Sequence, residues 1–127
     1  MSDRWKQSST SYHIIFCPKY RRRVLVGKIE ERLKELIIEK CEKMKVEVRK
    51  MEVMPDHVQL FLRALPVHAP HFVIGQIKGY TSRILREEIP ALRSRLPTLW
   101  TRSYFVESVG HISQKTIEKY IKGQKGK

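Results

Sequence analysis

Cysteine is scarce in this chain: two in 127 residues, Cys17 and Cys41. They stand in separate apolar segments without a CxxC spacing, which argues against both a disulfide framework and a structural zinc site. Long apolar runs are absent as well. None approaches the roughly 18 residues that a membrane span requires. The opening MSDRWKQSSTSY has no apolar core of a signal peptide, so the chain reads as cytoplasmic, with no membrane partner. No internal repeat or low-complexity segment interrupts it. The acidic residues are also few, 13 Asp and Glu against 26 Lys and Arg, for a formal charge of +13 and a pI near 10.0. Such an excess favours a polyanionic partner. With 41% hydrophobic residues, a chain of this length can bury one sizeable core, so the reading is a single folded basic domain over 1–127.

The hydrophobic pattern divides this domain into elements. SYHIIFC, Ser11 to Cys17, is β-branched and aromatic and stops at Pro18, which has no N–H for a ladder, so it reads as a strand. Lys19, Arg21, Arg22 and Arg23 then surround Tyr20. From 28 to 45, Ile29, Leu33, Leu36, Ile37, Cys41 and Met44 recur at steps of three and four, the stripe of an amphipathic helix. Val46 to Met54 alternates with a phase slip between Val48 and Met51, which suggests a bulge or a strand buried partly on both faces. Pro55-Asp56 makes a turn. In the next strand Val58, Leu60, Leu62 and Ala64 share one face, and His57, Gln59, Phe61 and Arg63 the other. A second helix is expected from Pro70 to Glu88, with Lys78, Arg83 and Arg86 off its apolar stripe. Residues 90 to 101 read as a loop, Ser103 to Val109 as a last strand, and a short helix from Ser113 carries Ile117, Tyr120, Ile121 and Gln124. The order β, α, β, β, α, β with an extra C-terminal helix predicts an α+β, ferredoxin-like antiparallel sheet with helices on one face.

Two pairs of side chains stand out. His57 and Gln59, at i and i+2 on a strand, project from one face about 6.6 Å apart along the chain, near enough to converge on one ion. Tyr120 and Gln124, at i and i+4 on a helix, also point the same way.

The segments SYHIIFCPKYRRRVL, MEVMPDHVQLFL, IKGYTSRIL, LWTRSYFVESVG and TIEKYIKGQ together resemble the single-tyrosine HUH transposases of the insertion sequence 200/605 group. The resemblance runs over nearly the whole chain. It implies an enzyme that cuts and rejoins single-stranded DNA at hairpin-bearing transposon ends through a 5′-phosphotyrosine. Tyr120 would be the nucleophile, and His57, position 59 and Gln124 would hold Mg²⁺ or Mn²⁺. It further implies a homodimer whose tyrosine helix can complete the partner's site. The chain departs from the family at Gln59, where the His-hydrophobic-His strand pattern has its second histidine.

Each residue also has an ordinary reading. His57 beside a turn suits a solvated or capping residue, and Tyr120 suits helix packing; the surrounding segments reverse both. His68 and His71 lack companion ligands and read as helix-start residues. Tyr80 and Trp100 read as packing residues. Lys19, Arg21, Arg22 and Arg23, with Lys78 and Arg83, are the candidates for DNA contact, since cations beside an aromatic suit phosphate tracking and base stacking. Three other functions stand beside the transposase: a domesticated relative acting on palindromes, a hairpin-binding protein disabled by Gln59, and a generic ferredoxin-like RNA-binding protein.

Overall fold

The alternation in HVQLFLRA separates the two sides of the sheet. Val58, Leu60, Leu62 and Ala64 are all buried against the helices, while His57, Gln59, Phe61 and Arg63 leave by the opposite face. The computed structural model describes residues 9–109. In chain order it has β1 (Thr10–Phe16), α1 (Gly27–Met44), β2 (Glu47–Met54), β3 (His57–Ala64), α2 (Pro70–Glu88), α3 (Ala91–Arg95) and β4 (Phe105–Ser108). The strands lie in the order β2-β3-β1-β4 and every pair is antiparallel. This is the expected ferredoxin-like βαββαβ arrangement, with β1 and β3 at the centre.

The helical stripes supply the other half of the core. Leu33, Leu36, Ile37 and Cys41 of α1, and Val73, Ile74, Ile77 and Leu85 of α2, pack on Ile14, Phe16, Val58, Leu60 and Leu62. Each such side chain contributes about 1.5 to 3 kcal/mol on burial. The thiol of Cys41 is pushed up to about 12 by this burial, and that of Cys17 is raised for the same reason. The phase slip read in β2 is a register shift between Val48 and Lys50. It re-aims the second half of the strand, so that Val53 enters the core and Glu52 faces Gln59 on the far side.

Three segments differ from the sequence expectation. Residues 90 to 101 are not all loop: Ala91–Arg95 is the short helix α3, with Pro90 at φ −57° as its cap and Leu92 buried. Proline breaks a helix interior but fits its first turn, and Leu92 and Leu96 both reach the core. The last strand is shorter than Ser103 to Val109, and the first begins and ends one residue earlier. The helix expected from Ser113, with Tyr120 and Gln124, lies outside the described residues.

The segment after α3 is tied to the end of β1. Lys19 N–H donates to Leu99 O at 2.8 Å, and Thr101 N–H to Cys17 O at 3.0 Å. Trp100 packs edge-on to Phe16 at 4.7 Å between centroids, and its Nε1–H donates to Thr81 Oγ1 at 3.0 Å. Trp100 thus has the packing role read from the sequence. Leu25 N–H donates to Pro55 O at 3.0 Å, which brings the basic turn after β1 beside the Pro55-Asp56 turn.

Candidate active site on the second face of the sheet

The site begins at the turn before β3. Asp56 Oδ1 lies 2.8 Å from His57 Nδ1. An ionised carboxylate only accepts, so Nδ1 carries the hydrogen and donates it. The other ring nitrogen, Nε2, faces the side of the sheet where Gln59 projects. Arg21 Nη2 donates to the other carboxylate oxygen, Oδ2, at 3.0 Å. The hydrogen bond from His57 holds the Asp56 carboxyl below its ordinary range, and the Arg21 charge adds to this against the opposing effect of burial. His57 is therefore oriented from behind by a carboxylate that is itself held by a cation.

Gln59 is fully buried, and its amide lies between two imidazoles. Its Nε2 is 3.4 Å from His57 Nε2, at the long end of hydrogen-bond range, and its Oε1 is 3.2 Å from His13 Nε2. The register explains the meeting. Ile15 of β1 stands opposite Gln59 and His13 opposite Phe61, so His13 is the diagonal neighbour of Gln59 on the same face. His13 is itself buried and meets Phe105 of β4 edge-on at 6.1 Å. On the other side Glu52 of β2 stands opposite Gln59, buried, with Lys50 Nζ 3.7 Å from its carboxylate.

This donor set fits part of a divalent-ion site. An imidazole whose Nδ1–H is held by a carboxylate and whose Nε2 is free to donate electrons is the usual form of a ligating histidine. A glutamine oxygen suits Mg²⁺ or Mn²⁺. Among the described residues no group of three or more His, Cys, Asp or Glu gathers around a common point. A complete set thus needs a further donor, and Gln124, like Tyr120, lies outside the described residues.

The basic candidates fall in two places. Lys19–Arg21 forms a 3₁₀ turn in which Tyr20 and Arg21 have positive φ, 61° and 51°. That conformation is unfavourable for side chains other than glycine, and it turns Tyr20 outward to 63% exposure with Lys19 Nζ 5.5 Å from its ring centre. Arg22 and Arg23 are exposed beside it. Lys78, in contrast, is engaged: its ammonium donates to Thr101 O at 2.6 Å and Ser103 O at 3.2 Å, and burial lowers its pKa. It lines a groove of about 320 Å³ with His71, Trp100, Arg102 and Tyr104. Arg83 stands with Lys40 and Lys43 around the ring of Tyr80, 5.8, 5.2 and 4.9 Å from its centre. Tyr80 is partly buried against the core, in keeping with its packing role.

Two residues of this site, His13 and Asp56, are not among the candidates legible in the sequence. His13 is one apolar-run residue among others, and Asp56 only a turn former. The DH pair is a local signal for Asp56; none points to His13, whose place depends on strand pairing.

The chain matches the model of the IS200-like transposases over residues 6–124. It is 38% identical over 118 residues to the ISDra2 transposase TnpA of Deinococcus radiodurans, covering 91% of this chain and 84% of that protein. It is 32% identical over 123 residues to the transposase for insertion sequence element IS200 of Salmonella typhimurium, covering 95% and 78%. Among solved structures, a crystal structure of a candidate transposase from Deinococcus radiodurans R1 superposes with a TM-score of 0.76 at 32% identity, over 93% of this chain and 92% of that one. A REP-associated tyrosine transposase, solved bound to a REP hairpin, shares the fold at a TM-score of 0.66 and 13% identity, over 91% and 64%. Matched along almost its whole length, the chain belongs to the IS200-like transposase family.

Proposed function

We propose that this transposase cuts and rejoins hairpin-bearing single-stranded DNA ends through a 5′-phosphotyrosine on Tyr120, with Mg²⁺ or Mn²⁺ held by His57, Gln59 and Gln124. The observation that carries the reading is the placement of His57. Its Nδ1–H is fixed by Asp56, and Nε2 is turned to the sheet face where Gln59 also projects. A bound divalent ion would supply polarisation of the scissile phosphate. The Tyr120 oxygen then attacks phosphorus, the bond to the 3′ oxygen breaks, and a free 3′-OH is left as the tyrosine proton departs. Because the new tyrosyl ester is again a phosphodiester, attack by another 3′-OH releases Tyr120 and rejoins DNA without ATP. A free phenol has a pKa of about 10, so its attack needs activation by nearby cations or by a water linked to the ion. The exposed Arg22 and Arg23, with Lys19 and Tyr20, suit the DNA backbone and an unstacked base. Two chains form the working unit, in which the Tyr120 helix of one can complete the site of the other.

The test is incubation of the protein with single strands from the flanks of its own gene and Mn²⁺. A covalent adduct to the 5′ phosphate of the fragment downstream of the cut, lost in Tyr120→Phe while binding persists, is expected. An adduct that survives in Tyr120→Phe removes the nucleophile assignment. A second reading, a hairpin-binding protein without cleavage, is favoured by one observation: the Gln59 oxygen faces His13 and not His57. Cleavage gained only in Gln59→His would select it.

A further inference from the structure

The amide of Gln59 has one accepting end and one donating end, and its neighbours fix which is which. The end of Gln59 that faces His57 is the donating Nε2, 3.4 Å from the ring's Nε2, which accepts from it while Nδ1 donates to Asp56. The Gln59 oxygen lies 3.2 Å from His13 Nε2, which donates to it. Arg21, Asp56, His57, Gln59 and His13 thus form one directed chain of hydrogen bonds across the sheet face. In that direction Gln59 offers His57 a hydrogen where a shared cation would need an oxygen.

We propose that His13 is a positioning residue that holds the Gln59 oxygen away from His57, so that the amide must turn over before both side chains can ligate one divalent ion. The inference rests on the reading of His57 and Gln59 as metal ligands. Turning the amide brings its NH₂ against His13 Nε2. That nitrogen must then accept, so the ring hydrogen moves from Nε2 to Nδ1. No proton is gained or lost in this exchange. A histidine at position 59 could instead exchange its hydrogen between the two ring nitrogens without turning over. The family departure at Gln59 is therefore coupled to His13, a residue 46 positions away.

Burial supports the coupling. Gln59 and His13 are 0% and 3% exposed, so water does not readily replace either partner, and a mismatched pair of donors there would be costly.

The experiment is nitrogen-15 NMR of the histidine rings in the full chain, without metal and at saturating Mg²⁺. The expected result is hydrogen on Nε2 of His13 without metal and on Nδ1 with it, while the His57 Nε2 resonance shifts on Mg²⁺ addition. A shifted His57 with an unchanged His13 tautomer overturns the positioning role and leaves the metal site standing. An unchanged His57 overturns both. In parallel, Mn²⁺ titration followed by the paramagnetic resonance of the free ion compares the native chain, His13→Met and His57→Ala. His13→Met should bind Mn²⁺ about 2- to 10-fold more tightly, the worth of one released buried hydrogen bond. His57→Ala should bind it more weakly. Equal or weaker binding by a folded His13→Met overturns the proposal, since a purely structural role would lower affinity. If that variant does not fold, the ring resonances of the native chain decide alone.

Discussion

Arg21 and Asp56, 35 residues apart, are joined by a 3.0 Å ion pair between the basic turn and the start of β3. The guanidinium is 65% exposed, so by itself the pair adds little to stability. Its consequence is positional. It holds the carboxylate that orients His57, and so links the basic turn to the imidazole of the site.

Asp56→Ala should therefore weaken divalent-ion binding about 10- to 100-fold, the range found when the partner of a ligating histidine is removed. Mn²⁺ titration of the folded variant measures it. An unchanged affinity would mean that His57 does not need its carboxylate.

Asp56 also predicts an acid dependence. Its folded pKa lies below the ordinary 3.8, so its contribution to stability is fully present above that value and is lost as pH falls through the lower folded value. Thermal melts of the native chain and Asp56→Ala should differ near neutral pH and converge below about 3.8. A difference that stays unchanged well below 3.8 would contradict the assignment.

The salt dependence of DNA binding separates the two groups of cations. Each phosphate contact on a single strand contributes a slope of about −0.7 in log K against log salt. Arg22→Ala with Arg23→Ala should flatten the slope. Lys78→Ala should leave it nearly unchanged and lower stability instead, because its ammonium is held by Thr101 and Ser103.

Thr81 is buried and accepts from Trp100 Nε1 while its own hydroxyl donates to Ile77 O at 2.8 Å. Thr81→Val leaves the indole N–H without that partner and should cost about 1 to 3 kcal/mol in urea unfolding. A loss below the lower figure would show that the indole finds another acceptor.

Mixing His57→Ala with Tyr120→Phe should restore part of the cleavage if the tyrosine acts across a dimer. Absence of recovery, with mixed dimers shown by mass, would keep each site within one chain.

Much of this molecule is determined locally. The three-and-four spacing in α1 and α2, the alternation in HVQLFLRA and the slipped phase after Val48 each follow from a repeat of 3.6 or 2 residues, so helices, strands, bulge and the shared face of His57 and Gln59 could be read along the chain. The short α3 was hidden because prolines near it outweighed two leucines whose burial only the packed core supplies. The surroundings of Gln59 needed more still. Which residue of β1 faces it depends on antiparallel register, and which turn meets Asp56 depends on how β1 and β3 are joined. Such contacts cross tens of residues and leave no periodic trace in the sequence. Only the tertiary structure could decide that the glutamine in place of a histidine would have another histidine, His13, at its back.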